Sequence, residues 1–415
     1  MGSLELRGGG SMAAKEDCPN GNSIETVSTQ NNEKAKTIGG KTKRWRRKYS
    51  YLPKLGCLRV EKDKGGNFNI EVEQANPTHL VIMVNGIIGS AQNWKYAAKQ
   101  FLKKYPGDVI VHCSHANSAL LTLDGVDVMG QRLAEEVISV IKRHPSVQKI
   151  SFVGHSLGGL IARYAIAKLY QTDSGTDISQ GNRDCSSNGH EDRCMEDAAK
   201  GTIAGLEPVN FITSATPHLG SRWHKQVPLY CGSYALEKTA ARISWLLGRT
   251  GKHLFLTDGD NGTPPLLLQM VNDSEDLKFI SALQSFKRRV AYANACSDSL
   301  VGWSTSSLRR RNELPKRKHF SRHEKYPHIV NVESAKSASL KEDVTLDAKA
   351  DEGQTVDMEE EMIRGLTKLS WERVDVDFSG SVQKLMAHST IQVKSPWINS
   401  AGADVIQHMV DSFLL

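Results

Sequence analysis

The feature that most constrains this chain is a regular alternation between residues 79 and 170. Short apolar runs rich in branched residues stand at His79–Val84, 108–113 and 149–153. Longer stretches with helical periodicity separate them. Val126–Arg143 places Met129, Leu133, Val137, Val140 and Ile141 on one face, and Pro145 stops it. A helix over 93–104 ends at Pro106-Gly107, and 157–170 reads as the helix after the third run. Strands apolar at nearly every position must be covered on both faces, and helices crossing between parallel strands do so. The expectation is an α/β fold: a mostly parallel central sheet with helices on both faces.

Further strands are expected at 210–214, 289–294 and 371–378, and helices at 277–286 and 403–415. Residues 57–60 and 68–72 flank Lys64-Gly65-Gly66-Asn67 and read as a hairpin. Apolar residues make up 39% of the chain, a share diluted by polar segments. Residues 1–50 are polar and basic and are expected to be disordered, ahead of one domain over 51–415. Within that domain, 172–200 reads as a polar insertion, 220–275 as a helical, lid-like insertion, and 309–359 as a charged, irregular excursion.

Gly154-His155-Ser156-Leu157-Gly158 fits Gly-x-Ser-x-Gly. The bare pattern is weak, since about one chain of this length in seven would hold it by chance. Its setting is what counts: a buried strand ends at Val153 and a helix starts at Leu157, the strand–turn–helix such a nucleophile requires. The turn lifts the Ser156 hydroxyl to the carboxyl edge of the sheet. The Leu157 N–H, at the helix start, can donate to an oxyanion. The second donor is expected in the loop after the first strand, Asn85-Gly86-Ile87-Ile88-Gly89-Ser90, at the Ile87 N–H.

A serine hydroxyl needs a base, and the base a carboxylate, in the chain order Ser, Asp or Glu, His. Asp298 lies in the loop after strand 289–294 and is the expected acid; Asp258 and Asp260, inside the lid-like stretch, are its rivals. His388 follows the last strand and is the expected base, with His408 in the terminal helical pattern as its rival. His155 is turned away by the geometry of the elbow, and His218 is expected to line the cleft. Cys185, His190 and Cys194 lack a convincing fourth ligand for zinc. No cofactor or metal is required by this chemistry.

The net charge is +7, with a basic run at 41–48 around Trp45 and Tyr49. That pattern suits peripheral contact with an anionic membrane more than nucleic acid, for which no motif is present. Seven irregularly spaced cysteines argue against a disulfide framework. No secretory signal and no apolar stretch of membrane-spanning length stands out, so an intracellular, cytoplasmic setting is expected. Oligomeric state is not legible.

From about residue 79 to 415 the chain resembles the eukaryotic putative serine esterases, lipase-like α/β-hydrolases, and their plant branch in particular. The likeness rests on 84–90, on 153–160 with Ala162-Arg163-Tyr164, and on Ala215-Thr216-Pro217-His218-Leu219-Gly220. It extends through 253–258, Tyr292-Ala293-Asn294, 387–394 and 402–405. The resemblance implies an α/β-hydrolase fold, a triad of Ser156, Asp298 and His388, and hydrolysis of lipid or other carboxylic esters. The chain departs from relatives in lacking a His after the acid and in carrying Ser389 after the base. A non-catalytic lipid- or partner-binding protein, and an acyltransferase or thioesterase on the same triad, are the alternatives.

Overall fold

All six residues of strand β2 (His79–Val84) are buried, and the five apolar side chains divide between two clusters. Leu80, Ile82 and Val84 point into one, Val81 and Met83 into the other. A strand that must satisfy two cores can sit only in the middle of a covered sheet.

The computed structural model describes residues 57–58, 76–172, 201–221, 247–260, 262–335 and 353–415. In chain order its strands are β1 (Cys57–Leu58), β2, β3 (Val109–Cys113), β4 (Lys149–His155), β5 (Tyr170–Gln171), β6 (Thr202–Ile203), β7 (Glu207–Ser214), β8 (Arg288–Asn294), β9 (Ile329–Glu333) and β10 (Glu372–Val376). Eight of them form one sheet in the order β1-β3-β2-β4-β7-β8-β10-β9, while β5 and β6 form a separate two-stranded ribbon. All neighbours from β3 to β10 run parallel; β1 and β9 close the two edges antiparallel.

Helices α1 (Lys95–Lys104), α2 (Val126–Arg143) and α3 (Leu157–Leu169) make the crossovers. Helices α2 and α3 cover one face, where Met129, Leu133 and Val137 meet Leu160, Ile161 and Ala165. Helix α1 and the terminal helix Ala403–Asp411 cover the other, through Ala98 and Phe101 against Met409 and Val410. This is the α/β-hydrolase architecture. The chain passes from β2 to β3 on one side and then to β4 on the other. That makes the carboxyl ends of β2 and β4 a switch point, where such sheets bind ligands.

The structure corrects one expectation outright. The stretch 309–359, read as irregular, supplies β9, and helix Gly353–Thr367 begins inside it. Strand β9 is short, and the charged residues ahead of it mask its apolar pair Ile329 and Val330. It is held by a buried charge cluster. Asp375 of β10 is fully buried and accepts from Arg309 Nη1 at 2.8 and 3.0 Å, Trp303 Nε1 at 2.7 Å and Asn331 Nδ2 at 2.8 Å. In the lid-like stretch, helices run over Gly248–Leu254 and Leu266–Gln269. Residues 222–246, the insertion 173–200, the partner strand 68–72 and the segment 1–50 lie outside the described residues. Among the described residues no helix is long and apolar enough to cross a membrane.

Candidate active site

Ser156 sits between β4 and α3 with φ 54° and ψ −128°, a backbone conformation that side-chain-bearing residues rarely adopt. Such a turn leaves no room on its flanks. A Cβ on Gly158 would run into the Val84 carbonyl oxygen, and one on Gly86 would lie 2.8 Å from Ser156 Cβ. Gly86 therefore brings the loop after β2 directly against the serine.

His388 Nε2 is 3.0 Å from Ser156 Oγ, and its Nδ1 is 3.0 Å from Asp298 Oδ2. The three groups come from the ends of β4, β8 and β10, which are neighbours or near neighbours along one sheet edge. Asp298 is tightly held. It accepts from Asn294 Nδ2 at 2.7 Å on the oxygen facing His388, and from the Leu300 and Val301 N–H groups at 2.9 Å on the other. Burial alone would raise its carboxyl. The charge of His388 and these hydrogen bonds outweigh that and hold it below the ordinary value, so Asp298 is ionised.

The two N–H groups singled out in the sequence belong to residues adjoining Gly86 and Ser156 in the chain. Leu157 is the first helical residue, and its N–H has no intrahelical acceptor. The Ile87 N–H has no hydrogen-bond partner among the described residues, whereas its neighbour Ile88 donates to Thr122 Oγ1 at 2.8 Å. Thr122 thus fixes the loop while leaving the Ile87 donor open.

The rival residues are engaged elsewhere. Asp258 accepts the Leu266 N–H at 2.8 Å, and Asp260 pairs with Thr263 in a turn. His408 Nδ1 is 2.9 Å from Tyr292 Oη, and burial lowers its pKa to about 4. His218 does not line a cleft: it is fully buried, 3.0 Å from Thr213 Oγ1 and stacked edge-on to Trp371. Sequence reasoning set His155 aside and missed its contact. Its Nε2 is 2.7 Å from the His388 carbonyl oxygen, and the two rings are 4.8 Å apart. Burial first, then the charge of His388, lowers its pKa to about 3, so the neutral ring donates to that carbonyl.

Among the described residues one group could hold a metal ion: His112, His115 and Glu136. Its members already bind one another. Glu136 accepts from His112 Nε2 at 3.0 Å, Ser114 Oγ at 2.6 Å and the His115 N–H at 3.0 Å, which fixes the loop after β3. Burial opposes ionisation there, but these hydrogen bonds bring the carboxyl down to about 2. Cys185, His190 and Cys194 lie outside the described residues.

The chain is 30% identical over 264 residues to "Putative lipase ROG1" of Saccharomyces cerevisiae, covering 62% of this chain and 33% of the relative. It is 25% identical over 240 residues to "Putative lipase C4A8.10" of Schizosaccharomyces pombe, covering 56% and 26%. It thus spans about a third or less of the curated relatives it matches. The mature form of Bacillus licheniformis lipase BlEst2 is similar at 15% identity over 56% of this chain and 71% of that one, with a TM-score of 0.31, too low to bear on the argument. The family model described as "Putative serine esterase (DUF676)" matches residues 74–308, more than half of the chain and a span that includes Ser156 and Asp298. On that match the chain belongs to the putative serine esterase family.

Proposed function

We propose that this protein hydrolyses carboxylic esters, lipid acyl esters foremost, through Ser156, His388 and Asp298. One observation carries the reading: the His388 ring bridges Ser156 Oγ and Asp298 Oδ2 at 3.0 Å each. Nucleophile, base and orienting carboxylate then form one hydrogen-bonded line. His388 takes the Ser156 proton as Oγ attacks the ester carbonyl. The Ile87 and Leu157 N–H groups receive the oxyanion. Asp298 stabilises the charged imidazole, which returns the proton to the leaving alcohol. Water then repeats the sequence on the acyl-enzyme and releases the acid, with no cofactor or metal in any step.

Residues 220–275 are assigned to the wall of the acyl site, 172–200 to a polar insertion within the hydrolase domain over 51–415, and 1–50 to a basic segment that precedes it in sequence. The plant-branch likeness, an intracellular setting and peripheral membrane contact through the basic run at 41–48 belong to the same proposal. The test compares wild type with Ser156→Ala for turnover of short- and long-chain esters and for labelling by a fluorophosphonate. Turnover and labelling are expected in wild type alone; equal labelling of both discards the mechanism.

A further inference from the structure

Among the described residues, large exposed apolar side chains are concentrated at one edge. Ile88 follows β2, Leu120 follows β3, Leu300 follows β8, and Val382, Leu385 and Trp397 follow β10. Each stands beyond the carboxyl end of a strand, the end at which β4 delivers Ser156. Val382 is 99% exposed, Leu385 82% and Trp397 94%, and these three flank His388 in sequence. Ile138, Val332, Leu414 and Leu415 are exposed elsewhere. Apolar groups clustered this way mark an interaction face.

Positive charge is interleaved with them. Exposed Lys384 lies between Val382 and Leu385, and exposed Lys394 just ahead of Trp397. Lys316, Arg317 and Lys318 are also exposed, in the segment that enters β9. Ile329 of β9 pairs with Val376 of β10, so that segment and the one leaving β10 meet at the same edge. The Arg322 guanidinium reaches Gly380, where a Cβ would be 2.9 Å from Nη2. Among the described residues, lysine ion pairs are formed by Lys104, Lys287 and Lys325, none of them in this set.

We infer that this edge docks on an anionic lipid bilayer. Val382, Leu385 and Trp397 enter the interfacial layer, where tryptophan is at home, and Lys384, Lys394 and residues 316–318 meet acidic headgroups. A bilayer suits apolar groups spread over four separate loops, because it imposes no shape on them. The charge is of the matching sign. The inference rests on the reading of Ser156 as a lipid esterase only for the purpose docking serves, which is to bring Ser156 to the lipid.

The experiment is flotation of the full chain carrying Ser156→Ala with phosphatidylcholine vesicles, with and without phosphatidylserine. Flotation is expected with phosphatidylserine and should weaken as salt rises. Val382→Glu with Trp397→Glu should weaken it by roughly tenfold or more. Lys384→Glu or Lys394→Glu should each cost roughly fivefold on the anionic vesicles and little on the neutral ones. Thermal melting checks that these exposed substitutions leave the fold intact. The inference is overturned by absent flotation, or by flotation that the Val382→Glu/Trp397→Glu protein retains in full. A concentration-dependent dimer that Trp397→Glu dissolves, without vesicle binding, also overturns it and assigns the face to a second copy. Docking is read here without turnover. Flotation beside a wild type inert to esters sinks the esterase reading alone, and ester turnover without flotation sinks the docking alone.

Discussion

His155 and His388 are joined twice: the neutral ring of the first donates to the main-chain carbonyl of the second at 2.7 Å, and the two rings pack 4.8 Å apart. The residue before the serine therefore sets where the loop after β10 lies. It is a positioning residue, acting through His388. His155→Ala should lower kcat about ten- to a hundredfold with KM little changed, because small displacements of a base are costly. His155→Gln, whose amide can still donate to that carbonyl, should recover part of the loss. Steady-state kinetics on a soluble ester check this; an unchanged kcat in the alanine variant refutes it.

Asp298→Asn keeps the shape of the acid loop and changes what faces His388 Nδ1. The amide must offer either its oxygen to the Leu300 and Val301 N–H groups or its nitrogen to them, and the first choice favours the wrong imidazole tautomer. Loss of about ten-thousand-fold in kcat is expected, with melting temperature close to wild type. Crystallographic or spectroscopic evidence of an intact fold with undiminished turnover would contradict the assignment of Asp298.

The Asp375 cluster concerns stability. Asp375→Ala leaves the buried Arg309 guanidinium with Glu333, 3.1 Å away, as its remaining carboxylate and frees Asn331 and Trp303, and should cost about 3 kcal/mol in denaturant unfolding. Replacing Arg309 and Asp375 together by apolar residues of similar volume should cost much less. Equal losses for the single and double changes would show that the cost does not come from an uncompensated buried charge.

Acid should unfold this protein early. Burial lowers His155 to about 3 and His79 to about 4, against 6.5 for the free side chain. As pH falls below 6.5 the unfolded chain takes up protons that the folded chain refuses. Stability is therefore lost on the way down, by about 1.4 kcal/mol per pH unit for each such histidine. Glu136, lowered to about 2 from 4.5, adds to the loss as pH falls below 4.5. Melting curves across this range, and a shallower slope for His155→Gln, check the claim.

What the sequence revealed follows from the period of each element. Strands β2, β3, β4, β7 and β8 are buried on both faces, so their apolar runs stand out, and Val126–Arg143 carries its core on one stripe. That Ser156, Asp298 and His388 come together was legible because chain order and strand ends restrict where each can lie. Strand β9 was not, since an edge strand needs only one covered face and Arg309 and Asp375 read as surface charge. The burial of His218 and the donation by His155 depend on partners 5 and 233 positions away. No local pattern signals whether a histidine ring meets Thr213, a carbonyl or water.

The family match stops at residue 308, short of β9, β10 and His388. Strand β8 relies on β10 for a full ladder, with Val290, Tyr292 and Asn294 opposite Glu372, Val374 and Val376. A recombinant protein cut at that boundary would present β8 as a bare, twin-faced apolar margin, a template on which other chains can zip together. Homology-guided trimming would thus yield insoluble material whose silence toward esters says nothing about the intact protein.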